Sequence, residues 1–150
     1  YSYLAVVTTA LGLLFYLSPV FWQNRGLYSF KVIPDHLDGI QFIKENNLSG
    51  PIFNNYDIGG YLIFNLYPKE KVCVDGRPEA YPVEFFNYYK KIQTDAKEFK
   101  KASEKYSFNT IFFTRGDITP WAQEFLASIS RDKTWKQAYL DEFVVIFVKE

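Results

Sequence analysis

Apolar and polar positions fall into blocks along this chain, and the first block is the most extreme. Residues 1–24 carry no charged side chain, and positions 4–17 are almost continuously apolar. About 20 apolar residues span the roughly 30 Å hydrocarbon core of a bilayer, so this block predicts one transmembrane helix. Pro19 lies near its end, and Tyr16, Phe21 and Trp22 stand where aromatic side chains meet lipid headgroups. A cleaved signal peptide fits less well, because no basic segment precedes the block and no small-x-small site comes after it. A buried soluble helix is seldom apolar all round for this length.

Residues 25–33 read as a short amphipathic juxtamembrane connector, and Pro34 opens a different pattern. Asp35 is placed to cap a helix in which Leu37, Ile40 and Ile43 share one face, with Ser49-Gly50 as its breaker. A short apolar strand comes next, at 51–54. Ile58, Tyr61, Leu62 and Leu66 then have helical spacing that stops at Pro68. Residues 71–74, with Val72-Cys73-Val74, predict a second strand buried on both faces. A helix runs from Pro82 to Ile92. Thr94 or Asp95 caps another, whose apolar face is Ala96, Phe99 and Ala102. Residues 110–114 predict a third strand. Thr119-Pro120 starts a helix carried inward by Trp121, Phe125 and Ile129. Two β runs, 135–140 and 143–148, close the chain around Asp141-Glu142. Strands alternating with helices predict an α/β fold: a three-layer αβα arrangement with a mainly parallel sheet and an antiparallel C-terminal hairpin.

Composition narrows the function classes. Seventeen Lys and Arg balance seventeen Asp and Glu, which removes the electrostatic basis for a nucleic-acid partner. The single cysteine, Cys73, excludes an intramolecular disulfide and a Cys-rich metal site. The chain begins at Tyr1 and contains no Met, so it reads as a segment of a longer protein.

Candidate chemistry gathers at the carboxyl ends of the three strands that alternate with helices, where open α/β sheets bind ligands. The first runs into Asn54-Asn55-Tyr56-Asp57 and Gly59-Gly60, the second into Asp75-Gly76-Arg77, the third into Arg115-Gly116-Asp117. Each cluster also has a purely structural reading. Asp57 suits a helix cap, Gly59-Gly60 permit close approach of helix to sheet, and Asp75, Arg77, Arg115 and Asp117 can pair among themselves. No G-x-G-x-x-G, G-x-S-x-G or metal-ligand spacing is present, and His36 is the only histidine. Neither a cofactor nor a metal is expected, and these residues by themselves define no reaction.

The block Asn54-Asn55-Tyr56-Asp57-Ile58-Gly59-Gly60-Tyr61-Leu62, then Lys71-Val72-Cys73-Val74-Asp75-Gly76-Arg77 and Tyr81, resembles a known pattern. It is similar to the C-terminal extracytoplasmic domain of prokaryotic multi-spanning GT-C-type (family 39-like) glycosyltransferases. The likeness runs from the last membrane helix to the closing strand pair with Trp135, Asp141 and Val145. A more distant likeness is to the soluble domain of the oligosaccharyltransferase catalytic subunit, whose W-W-D-Y-G motif recognises the acceptor peptide. On that motif Asp57 and Gly59 agree, and both tryptophans are absent.

The resemblance implies a multi-pass protein of the cell membrane. Residues 1–24 would be its last span and 34–150 its extracytoplasmic domain. It implies a polyprenyl-phosphate sugar donor and a glycan or protein acceptor, with membrane lipid as neighbour. The family's catalytic Asp lies in an early loop, so no catalytic residue is expected in these 150. Tyr56, Asp57, Asp75, Arg77 and Arg115 are the expected substrate-binding residues. The alternative is a structural or interaction ectodomain without a ligand.

Overall fold

The computed structural model describes residues 2–16 and 37–150. Two compact units divide the chain, Tyr1–Pro34 and Asp35–Glu150. The described part of the first is helix α1, Ser2–Tyr16, of 15 residues. At 1.5 Å per residue it is about 22 Å long. Among the described residues no helix is long and apolar enough to cross a membrane. The rest of the expected span, the connector at 25–33, Phe21, Trp22, Asp35 and His36 lie outside the described residues. Within α1 the hydroxyls of Thr8 and Thr9 donate to the carbonyl of Ala5, at 3.0 and 2.8 Å.

The second unit opens with α2, Leu37–Glu45. It ends because Asn47 takes a left-handed conformation (φ 50°), which turns the Leu48 N–H back onto the Ile43 carbonyl at 3.0 Å. Strand β1, Ile52–Asn54, leads through a 3-10 turn, Tyr56–Ile58, into α3, Gly59–Leu66. Helices α4, Val83–Thr94, and α5, Ala96–Tyr106, precede β2, Thr110–Thr114. Helix α6, Pro120–Ile129, and the hairpin β3, Trp135–Leu140, and β4, Val144–Lys149, complete the chain. Asp95 caps α5, its carboxylate accepting from the Lys97 and Glu98 amides. Thr119 does not cap α6 with its side chain. Instead its own N–H and hydroxyl donate to Asp117 Oδ1, at 3.0 and 2.7 Å.

The sheet order is β1-β2-β4-β3, with β1 and β2 parallel and both other pairings antiparallel. The expected mainly parallel sheet is therefore corrected to a mixed one, because β4 inserts between β2 and β3. Residues 71–74 form no full strand either. A single parallel bridge joins Ile52 to Val72, after which the ladder passes to a side chain. Buried Asn54 accepts from the amides of Cys73 (3.0 Å) and Val74 (3.4 Å) and donates to the Val74 carbonyl (2.8 Å). One carboxamide thus stands in for two residues of strand.

Alternation along the strands splits the interior in two. Phe53, Ile111, Phe113, Val145 and Phe147 pack under α4, α5 and α6, whereas Ile52, Phe112, Val144 and Ile146 pack under α2 and α3. Helices on both faces make the three layers expected. Phe53 is the hub of the larger core, its ring 5.1–5.9 Å from those of Tyr89, Phe99, Phe108, Phe113 and Phe125. Such pairs add about 0.5–1.5 kcal/mol each beyond their buried area. They offset the shortness of β1. The hairpin turns on Asp141, whose Oδ1 accepts from the amides of Phe143 and Val144, both at 2.7 Å.

Candidate functional site

At the carboxyl pole of the parallel pair, Asn54 and Asn55 tie three chain segments together. Asn55 donates to Thr114 Oγ1 (2.8 Å) and accepts from the Thr114 amide (3.0 Å), while the Tyr89 hydroxyl donates to the Asn54 carbonyl (2.8 Å). Both asparagines are fully buried. Tyr56 and Tyr89, which adjoin or bond to this rim, line a cleft of about 500 Å³ between α4 and the start of α6.

The cleft is aromatic-walled and carries charge at its mouth. Tyr56, Phe86, Tyr89 and Trp121 supply the rings, and Asp57, Asp117 and Lys90 the charges, with Asn87 and Thr119 between them. Tyr56 and Phe86 meet edge to face, at 5.8 Å between centroids. Lys90 Nζ lies 4.8 Å from the centre of the Trp121 ring, an attraction of about 0.5–1 kcal/mol at an exposed site. Burial, then the charges of Glu79, Asp75 and Asp57, raise the Tyr56 phenol above its usual pKa. Burial pushes Tyr89 well up. Both phenols stay protonated; Tyr89 spends its proton on the Asn54 carbonyl, and Tyr56 can donate into the cleft.

The five expected binding residues part company here. Tyr56 and Asp57 line the cleft. Asp57 does not cap the helix by hydrogen bonding: α3 begins after Ile58, with no side-chain cap. Its exposed carboxylate has no hydrogen-bond or ion-pair partner among the described residues.

Asp75 and Arg77 instead bind each other. Arg77 Nε and Nη2 donate to the two carboxylate oxygens at 2.8 and 2.7 Å, and the Arg77 amide donates to Oδ1 at 3.1 Å. Asp75 is buried while the Arg77 side chain is 65 % exposed. Arg115 leaves the site altogether. It donates to the Asp141 carbonyl and lines a separate polar cavity of about 440 Å³ beside β3 and α6.

Hydrogen bonds from the Arg77 side chain hold the Asp75 carboxyl below its usual 3.8, against the opposing effect of burial. A carboxyl lowered in the folded state adds stability that is complete above its unfolded pKa and is lost as pH falls through the folded value. Arg77→Ala is therefore expected to move the acid limb of the stability profile to higher pH. Circular-dichroism melts across the acid range test this, and an unmoved limb would show that the pair contributes nothing.

Phe86, Lys90 and Trp121 were not legible as cleft residues. Trp121 has the spacing of Phe125 and Ile129 and reads as core, yet it is only half-buried. Its place in the first turn of a helix just past a strand's carboxyl end is the available signal. Cys73 is half-buried at the sheet edge, where burial pushes its thiol up to about 12. Among the described residues no group of His, Cys, Asp and Glu is arranged to hold a metal ion.

Fold and cleft define a three-layer mixed α/β domain with an aromatic-walled site at the carboxyl pole. Among solved structures, the C-terminal globular domain of an oligosaccharyltransferase from Archaeoglobus fulgidus is similar, with a TM-score of 0.55 and 13 % identity. The match covers 78 % of this chain and 97 % of that one. No family model and no curated protein matches the chain. At this identity the likeness is one of fold.

Proposed function

We propose that residues 34–150 are the extracytoplasmic, non-catalytic domain of a membrane glycosyltransferase that uses a lipid-phosphate-linked sugar donor. In this reading the cleft docks the acceptor. The observation that carries it is the cleft's pairing of four aromatic rings with the unengaged Asp57 carboxylate. Rings stack on the C–H faces of a sugar or on a peptide side chain, and the carboxylate accepts from an acceptor hydroxyl and orients it.

Fold likeness to an oligosaccharyltransferase domain agrees with this assignment.

Titration of the full chain in detergent micelles with a neutral oligosaccharide, and with a hydroxyl-bearing peptide, tests the idea through Trp fluorescence. One of the two should quench Trp emission saturably, and Trp121→Phe should remove that response. Asp57→Asn should weaken binding about 10- to 100-fold, the range for a lost hydrogen bond to a charged group. If neither ligand perturbs emission, or Asp57→Asn binds as well, acceptor docking fails.

A second reading, a structural ectodomain without a ligand, draws on the other three expected residues. Asp75, Arg77 and Arg115 all bond within the domain. Failure of both titrations would favour it.

A further inference from the structure

Helix α3 is unusual in having no polar face. Residues 58–68 carry no charge, and the inward stripe of Gly59, Leu62 and Leu66 is buried against the sheet. The outward stripe, Gly60, Phe64 and Tyr67, is spaced i, i+4, i+7 and faces away from the domain. Phe64 is 86 % exposed and Tyr67 71 %. A helix that is apolar all round belongs in an apolar setting on both sides, and this one has it on one side only.

The turn at the end of the stripe points to its cover. There the chain bends at Tyr67-Pro68 and presents Lys69 and Lys71, both exposed and neither in an ion pair among the described residues. Glu70 between them is buried, its carboxylate taken by the Gly50 amide. The end of the stripe and the turn thus show two aromatic rings, Phe64 and Tyr67, and two ammonium groups, with the intervening negative charge folded inward. Aromatic rings beside lysines suit the headgroup layer, where rings sit at the apolar boundary and lysines reach anionic phosphates. A protein partner would more commonly place arginine or a countercharge at such a patch. The same chain carries α1, an uncharged apolar helix.

We propose that the outward face of α3 and the 67–71 turn dock onto an anionic lipid surface. Phe64 and Tyr67 enter the interface, and Lys69 and Lys71 bind headgroup phosphates. This stands apart from the acceptor reading, because the stripe and the cleft lie on opposite faces of the sheet.

The test uses the full chain with Cys73→Ser and single cysteines at Phe64→Cys, Tyr67→Cys and, as an exposed control on β3, Lys136→Cys. Each is spin-labelled and mixed with vesicles of phosphatidylcholine, alone or with an equal part of phosphatidylglycerol. On anionic vesicles, labels at 64 and 67 should gain oxygen and lose aqueous nickel-chelate accessibility, while the label at 136 stays accessible to the chelate. Adding Lys69→Gln and Lys71→Gln should lower the docked-to-free ratio by about fivefold per lysine, the value of one charge at an anionic surface. Chelate accessibility at 64 and 67 equal to that at 136 would overturn the proposal. So would dipolar broadening between labels at 64, which would mean that a second copy covers the stripe. Unchanged melting of the labelled chains in detergent controls for folding.

Discussion

Gly59→Ala is expected to cost about 3 kcal/mol, the upper part of the usual range for an overpacked site. A Cβ there would lie 1.9 Å from the Val74 carbonyl oxygen and 2.6 Å from Asp75 Cα. Both are main-chain atoms, so no side-chain rotation relieves the clash. Conformation is not the reason, since Gly59 has ordinary helical angles (φ −58°, ψ −42°). Gly60 is the internal control. A Cβ on it meets nothing within 4 Å, and Gly60→Ala should leave stability equal or raise it by about 0.4–1 kcal/mol. Urea unfolding of the two variants at constant m-value decides the matter. Equal effects at both positions would mean that α3 does not press on the 74–75 segment as described.

Asn54→Ala should do as much damage by a different route. Its carboxamide is the partner of the Cys73 and Val74 amides and the Val74 carbonyl. The Cys73 amide keeps the Ile52 carbonyl at 2.9 Å, so the Val74 N–H and C=O are the groups left unmet, and at about 1–3 kcal/mol each a loss of roughly 2–5 kcal/mol is expected. Asn54→Asp should not rescue it, because a carboxylate cannot donate to Val74. Cys73 offers a second readout. It is the chain's single cysteine, and detachment of its segment should speed its reaction with an aromatic disulfide. A thiol that reacts no faster, with a stability loss under about 1 kcal/mol, would contradict the stitching role.

Helices and strands of this domain were largely legible where periodicity was unambiguous. Ile40 and Ile43, Phe99 and Ala102, Phe125 and Ile129 fall on the inward faces that their spacing predicts. The sheet was less so. Period-2 patterning says which residues are buried, not which strand lies beside which, so the insertion of β4 between β2 and β3 was invisible. Residues 71–74 read as a strand because Val-Cys-Val is apolar. Only a side chain twenty positions upstream reveals that the ladder is completed by Asn54.

The site was half legible. Tyr56 and Asp57 come from the rule that ligands bind at strand carboxyl ends. Arg115 obeys the same rule but turns away, because the antiparallel β3–β4 hairpin offers it the Asp141 carbonyl. Trp121 and Lys90 come from helices, and their meeting depends on how α4 and α6 pack. Likewise, Gly59 and Gly60 are adjacent and identical in type, yet only the first touches the neighbouring backbone. Sequence spacing cannot separate them.

The two borders of the sheet bear on behaviour at high concentration. Beyond β1 the chain is fastened by an amide side chain after one bridge, so an incoming peptide finds no continuous row of free groups. Along β3 a register shift between Gln137 and Tyr139 interrupts the outer row, and Lys136 adds an exposed charge. Interruptions of this kind discourage strand-to-strand templating between molecules. Self-association of this domain should accordingly proceed through side-chain surfaces and not through growth of its sheet.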